Sequence, residues 1–408
     1  MATETAAKDE KGFGRLRALI YFLCLVSASF QQGIVPLLPE YAHKFGLSGV
    51  QQGMLLGATA FATMAVAVPA GALADRLGAR RLTLIAGGLM ALAMVAEAVA
   101  PSFSVLLVAR LVFGAGYGIV WTAGLAWLAG VSPEGSGLGG TVACSGFGAI
   151  IGPVLAGGLA EAVGLATPFL GAAVVLAAVT AALATVRLPS PASIVAPAGL
   201  RHSIGGIVGN RGIVAATAAV VIAGLTWSVS YLLVPQELHA TGVSPATIGV
   251  ILSAAGAVFV IGSTATTSLR TRVIRPRVIF MAIVAAAFAF TPGMISAAPL
   301  AATAVLVGSS VARSVLWTVG YPLAARGAEQ TGVGVGVVMG YLQAVWAMTS
   351  VITPLAAGTM TGSLSSSAIF SLSAVCCLVV LGGTVAWVYR RQLQTSMRAV
   401  LDRAGVAA

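Results

Sequence analysis

The sequence has 408 residues, 58% hydrophobic and only 8% charged, with a formal net charge of +11 and a mean hydropathy of +1.00. Soluble domains carry about 25% charged residues to face water, so this composition excludes a water-soluble globular protein. The basic residues fall in short clusters between apolar runs, a pattern suited to the anionic leaflet of a membrane rather than to nucleic acid.

A helix needs about 20 apolar residues to cross the hydrocarbon core. Lipid satisfies no backbone hydrogen bond, so spanning segments must be helices or closed strands, and the uninterrupted runs here exclude the alternating pattern of a barrel. The sequence predicts twelve helical spans, at 17–39, 49–74, 82–100, 102–130, 137–161, 166–187, 212–238, 246–270, 277–297, 299–326, 331–360 and 366–390. The first run continues past Gln31, Gln32 and Gly33 to Pro39, too long for a cleaved signal peptide, and is expected to be retained. The stretch 188–211, with Pro189, Pro191, Pro197 and Gly205-Gly206, reads as a cytoplasmic tether between two six-helix bundles, 1–187 and 212–408. Cys24, Cys144, Cys376 and Cys377 all lie in apolar segments without metal spacing, and are expected to be buried thiols.

Of the 22 basic residues, nineteen fall on one side of the twelve predicted spans, the side that carries both termini. Lys44 alone lies on the other side, and Arg110 and Arg313 lie within spans. Cytoplasmic loops concentrate arginine and lysine, so both termini are expected in the cytoplasm.

The two halves repeat one another. Residues 37–58 align without gaps on 233–254, matching Pro39 with Pro235, His43 with His239, Gly46 with Gly242, Ser48 with Ser244 and Gly53 with Gly249. Val108-Ala109-Arg110 in span four recurs as Val311-Ala312-Arg313 in span ten, and Pro153 with Gly157 in span five recurs as Pro354 with Gly358 in span eleven. Parallel six-helix repeats place a substrate path between the halves.

The loop after span two carries Gly71, Leu73, Asp75, Arg76, Gly78, Arg80 and Arg81. It resembles the signature loop of the major facilitator superfamily, and the twelve spans and 6+6 repeat extend that resemblance along the whole chain. Ala79 departs from the basic pattern, and the matching stretch of the second half has Thr271 where the aspartate would be. The resemblance implies that Asp75, paired with Arg76 or Arg80 or facing a helix amino terminus, latches the halves on the cytoplasmic side in one state. A solvated turn that only sets topology is the alternative. Span five, with Gly148, Gly152, Pro153, Ala156, Gly157 and Gly158, is similar to the family's antiporter motif with Ala156 in place of one glycine; Pro153 allows a bend. Leu106, Arg110, Gly114 and Gly116 resemble the span-four motif, which ties Arg110 to proton coupling.

A cation inside a span is costly unless it faces water or a partner, so Arg110 and Arg313 are expected to be functional, with structural pairing as the alternative. Span one has no acid between Arg17 and Pro39; Glu40, Glu97, Glu161 and Glu237 cluster near the external ends, leaving Glu40 and Glu97 as candidate proton carriers. Mid-span polar and aromatic residues outline a substrate site: Gln31, Gln32, Tyr117, Trp121, Trp227, Tyr231, Trp317, Tyr321, Tyr341, Gln343 and Trp346. Tyr117/Trp121, Trp227/Tyr231 and Trp317/Tyr321 are each four apart and share a helix face.

These features predict a secondary transporter working by alternating access, exporting an amphipathic organic compound or drug in exchange for protons. An uptake carrier or exchanger for an organic anion is the alternative, favoured by two buried arginines, Arg110 and Arg313, with no nearby acid. No catalytic or metal-binding constellation and no ATP-binding loop is present, so neither an enzyme nor a cofactor is expected. The expected partners are a small organic solute, protons and lipids, for a monomer in a bacterial inner membrane, as the arginine- and alanine-rich usage suggests.

Overall fold

The computed structural model describes residues 2–131, 138–186, 188, 207–269, 274–296, 298–333 and 335–403, with backbone alone for 2–11, 68, 71–72, 75, 138–139, 336 and 389–403. Most of the expected tether at 188–211 therefore lies outside the described residues, as do Arg187, Arg201, Arg270, Thr271 and Arg272.

Twelve helices are long and apolar enough to cross a membrane, and no strand occurs among the described residues. We number them α1 (Gly12–Phe45), α2 (Gly49–Ala67), α3 (Ala79–Ala98), α4 (Phe103–Val131), α5 (Gly140–Ala162) and α6 (Thr167–Ala184) in the first half. The second half contains α7 (Arg211–Ala240), α8 (Pro245–Ser268), α9 (Pro276–Ile295), α10 (Pro299–Thr331), α11 (Val337–Met360) and α12 (Ser366–Val388). The basic loops mark one end of the bundle, called here the basic end; Lys44 and His239 mark the far end.

Three spans depart from the continuous helices that hydropathy predicts. In α1 the helix stops at Gly33, makes a 3-10 turn over Val35–Leu37 and resumes at Leu38. Pro36 and Pro39 lack the N–H groups that would carry the ladder through. In α9 the helix breaks between Ala289 and Thr291, beside Pro292. In α4 a π turn occupies Val120–Gly124. The last helix runs on past the predicted residue 390 to Arg403.

Each half packs within itself, α1 on α5 and α2 on α4 in the first, α7 on α10 and α8 on α10 in the second. The halves meet along two helix pairs, α2 with α11 and α5 with α8. All four cysteines are free; Cys24 and Cys377 are buried as expected, whereas Cys144 and Cys376 are only half-buried.

The sequence repeat is also a structural repeat. Ser48 Oγ accepts from the Gln51 N–H at 3.3 Å while Gln51 Oε1 accepts from the Ser48 N–H at 2.8 Å, closing a capping box at the start of α2. Ser244, its repeat partner, caps α8 through the Thr247 N–H. Two residues before each cap stands a glycine with positive φ, Gly46 at 61° and Gly242 at 83°. A Cβ would meet nothing within 4 Å at either position, so the cost of adding one is backbone strain alone. Gly46→Ala and Gly242→Ala should each destabilise the protein by about 1 kcal/mol, a fall in melting temperature without loss of expression.

Candidate functional site

The far-end seam comes from glycines. An added Cβ at Gly53 would collide with the Pro354 carbonyl, and one at Gly358 with the Gly49 carbonyl. The repeat does the same on the other side: Gly249 faces the Pro153 carbonyl and Gly157 the Pro245 carbonyl. Residues matched by the repeat therefore build both crossings, backbone against backbone. Toward the basic end the spacing between these helices widens. An added Cβ would lie 3.4 Å from its nearest neighbour at Gly57 and Gly256 and 3.9 Å at Gly146, ordinary contact distances rather than collisions. Polar contacts reinforce the closed end. Gln236 Nε2 donates to Gln52 Oε1 at 2.7 Å, the Ala246 N–H at the start of α8 donates to Glu161 Oε2 at 3.0 Å, and His239 Nδ1 lies 3.7 Å from Glu40 Oε1.

In span five the small residues face two ways. Gly148 and Gly152 leave room for the Leu25 and Ser29 carbonyls of α1, and Gly157 meets α8. Pro153 sits inside one continuous helix, and the Val154 N–H that follows it donates to Ser253 Oγ of α8 at 3.2 Å.

Arg110 is buried at the centre of the first half. Its Nη1 donates to the Phe30 carbonyl at 3.3 Å, and Nη2 donates to the Gln31 carbonyl at 3.1 Å and to Thr59 Oγ1 at 3.0 Å. The break at Gly33 makes this possible: the last carbonyls of a helix lack intrahelical partners and carry the negative end of its dipole. Nη1 also lies 3.5 Å from Glu97 Oε2, with both side chains 1% exposed or less. This corrects the expectation that neither arginine has an acid nearby. Glu97 and Arg110 lie six residues before and seven after Phe103, and antiparallel helices joined by a short loop bring such positions side by side. That symmetry was the readable signal. Glu40, the other candidate carrier, is a third exposed and faces His239, not Arg110.

Both intramembrane arginines begin a ladder of rings that runs toward the basic end. From Arg110 it passes Phe113, Tyr117 and Trp121, with ring centroids 6.4 and 6.1 Å apart. From Arg313 it passes Tyr231, Trp227, Trp346, Trp317 and Tyr321, at 5.4, 6.0, 4.9 and 4.9 Å. Tyr321 Oη then donates to Gln343 Oε1 at 2.7 Å. The structure thus joins Trp227, Tyr231, Trp317, Tyr321, Gln343 and Trp346 in one track. Tyr341 is not part of it: its hydroxyl accepts from Thr217 Oγ1 at 3.3 Å in a separate groove beside α12. Tyr341 stands two residues before Gln343, about 200° around α11 and so on its other face, an offset that the helical period alone could have told. Gln31 is half-buried and contributes its carbonyl, while Gln32 Oε1 is buried without a hydrogen-bond partner among the described residues. Sequence reasoning missed Thr59 and Phe259, although a threonine in span two was a visible polar signal.

At the basic end, the helix of α2 runs on to Leu77, and Gly78 (φ 84°) joins it to α3. Arg80, one partner expected for Asp75, donates from Nε to the Val186 carbonyl at 2.8 Å and from Nη2 to the Ala184 carbonyl at 2.6 Å. It caps the carbonyl end of α6. Arg76 and Arg81 are exposed, Gly71 lies within the helix that continues from α2, and the side chain of Asp75 lies outside those described.

The fold is similar to two solved structures of a bacterial homolog to the human lysosomal transporter Spinster, both inward-facing. The unoccupied form gives a TM-score of 0.72 at 14% identity over 92% of this chain and 96% of that one; the occupied form gives 0.73 at 15% over 91% and 95%. Residues 18–216 match the family model described as Major Facilitator Superfamily. That match takes in just under half of the chain, and the chain is similar to the superfamily over those residues. Among curated relatives, the quinolone resistance protein NorA of Staphylococcus aureus strain MRSA252 is 33% identical over 133 residues, and that of strain N315 is 32% identical over 133. Each match spans 31% of this chain and about a third (34%) of NorA.

Proposed function

We propose that this chain exports amphipathic organic compounds in exchange for protons by alternating access, with Glu97 and Arg110 as the coupling pair. The observation that carries the reading is the fully buried carboxylate held 3.5 Å from an arginine that also grips α1 and α2. Protonation of Glu97 removes the charge that holds Arg110, and Arg110 passes that change to the helix break at Gly33 and to Thr59. The tight far end and more widely spaced basic end suit the state that admits solute from the side of the basic loops, which the positive-inside rule assigns to the cytoplasm of a bacterial inner membrane. Asp75, Arg76 and Gly78 would latch that side in the opposite state. Residues 1–187 and 212–408 would move as two bodies joined by the tether, in a lipid-embedded monomer. The names of the NorA relatives support a drug-like cargo.

The organic-anion exchanger needs both arginines free. Glu97 neutralises Arg110, which weighs against that reading.

Proteoliposomes with an imposed pH gradient provide the test. A quinolone added to the loaded vesicles should trigger proton movement that dissipates with the gradient. Quinolone transport that proceeds at the same rate with the gradient collapsed would overturn the antiport reading.

A further inference from the structure

The two intramembrane arginines are repeat partners in unequal surroundings. Arg110 meets a carboxylate; Arg313 is 6% exposed and forms no ion pair with any described residue. The second half has no counterpart of Glu97, because the sequence from 276 to 295 contains no acid. Arg313 Nη2 donates to Ser310 Oγ at 3.2 Å, and Nη1 is buried with no hydrogen-bond partner among the described residues. A cation at that depth is costly unless something electron-rich or negative compensates it. Two rings do so in part: the guanidinium carbon lies 5.5 Å from the centroid of Tyr231 and 5.2 Å from that of Phe259. Rings compensate charge without accepting the in-plane N–H groups of a guanidinium, and those groups match the oxygens of a carboxylate or another oxyanion.

What lies beyond the arginine is equally specific. Tyr231 leads directly into the Trp227, Trp346 and Trp317 rings, and the track ends at the Tyr321–Gln343 hydrogen bond. A cation at one end and stacked rings behind it describe a molecule with an anionic head and an aromatic body.

We propose that Arg313 is the anion subsite for the transported compound, whose oxyanion accepts from Nη1 while its ring lies along Trp227, Trp346 and Trp317. This rests on the transport reading above, but requires neither its direction nor its coupling ion. It narrows the cargo to aromatic acids and zwitterions, and it separates the roles of the two arginines: Arg110 serves the proton and Arg313 the solute.

The test uses the full-length protein in detergent and three matched probes at one pH: 2-naphthoate, its neutral amide 2-naphthamide, and the cation 2-naphthylmethylammonium. Calorimetry should show naphthoate binding more tightly than the amide by about tenfold or more, the worth of a charge-assisted hydrogen bond. Arg313→Gln should erase that preference, with an unshifted melting temperature in detergent reporting an intact fold. Arg313→Lys should keep part of it, since the charge remains while the planar fork is lost. If Arg313→Gln is not recovered as folded protein, the wild-type ratio and its fall in Arg313→Lys carry the same test. Equal binding of naphthoate and amide to the wild type, or a preference undiminished by either substitution, overturns the proposal. Proton movement driven by a quinolone, with no Arg313-dependent anion preference, leaves the exporter and removes the subsite. An Arg313-dependent preference with no proton movement does the reverse.

Discussion

Glu97→Gln should nearly abolish proton-driven export while substrate exchange across the membrane persists. The carboxylate and the Arg110 guanidinium are buried together, and the amide removes the charge while keeping an acceptor of the same shape. Removing one partner of a buried pair costs about 3–5 kcal/mol, because the other is left uncompensated. Three kcal/mol corresponds to roughly a hundredfold in an equilibrium, and we expect at least that loss in accumulation driven by the pH gradient. The two partners should not be equivalent. Without Glu97 the arginine remains charged, whereas without Arg110 the carboxyl group can take up a proton and become neutral. Melting temperatures should therefore fall further for Glu97→Gln than for Arg110→Gln, and the double variant should recover part of the loss. Undiminished gradient-driven export by Glu97→Gln would remove Glu97 from the coupling step.

The second large effect concerns one methyl group. Gly157→Ala places its Cβ against the Pro245 carbonyl, whereas Gly158→Ala, one residue later, meets nothing within 4 Å. Overpacking usually costs about 1–3 kcal/mol when side chains can shift. Here the obstacle is backbone of the other half, so α5 and α8 must separate along their crossing. Gly157→Ala should reduce transport at least tenfold and expose the far end, measured as faster maleimide labelling of a cysteine introduced at Gln236. Gly158→Ala should behave as the unaltered protein. Gly358→Ala, the repeat counterpart beneath the Gly49 carbonyl, should reproduce the Gly157→Ala result. Equal labelling rates for the two neighbouring alanine variants would mean that the crossing does not hold the far end shut.

Much of this was legible because membrane helices obey few rules. Continuous apolar runs give the twelve spans, and the match of Gly46 and Ser48 with Gly242 and Ser244 reappears as paired turns and caps. The cost of a cation in lipid singled out Arg110 and Arg313 without any fold. Less legible was what depends on distant backbone. Arg80 reaches carbonyls at Ala184 and Val186, more than a hundred positions away, and no residue pattern announces such an acceptor. Tyr341 shows the weakness of residue type as a guide, since a tyrosine in an apolar span serves a groove as readily as a cavity. The glycines of spans two, five, eight and eleven were visible as small residues, but which neighbour each one admits is a property of the crossings.

The π turn in α4 has a consequence for how that helix can be read. A π turn takes in one residue more than a regular helical ladder, and one residue is worth about 100° of rotation. Side chains beyond Gly124 are therefore out of phase with those before Val120. Arg110, Phe113 and Tyr117 belong to one angular phase; Trp127, fully buried, belongs to another. No single helical wheel describes span four, and deleting one residue between Val120 and Gly124 would let the π turn close to a regular helical turn, with Trp127 keeping its packing and the arginine its place.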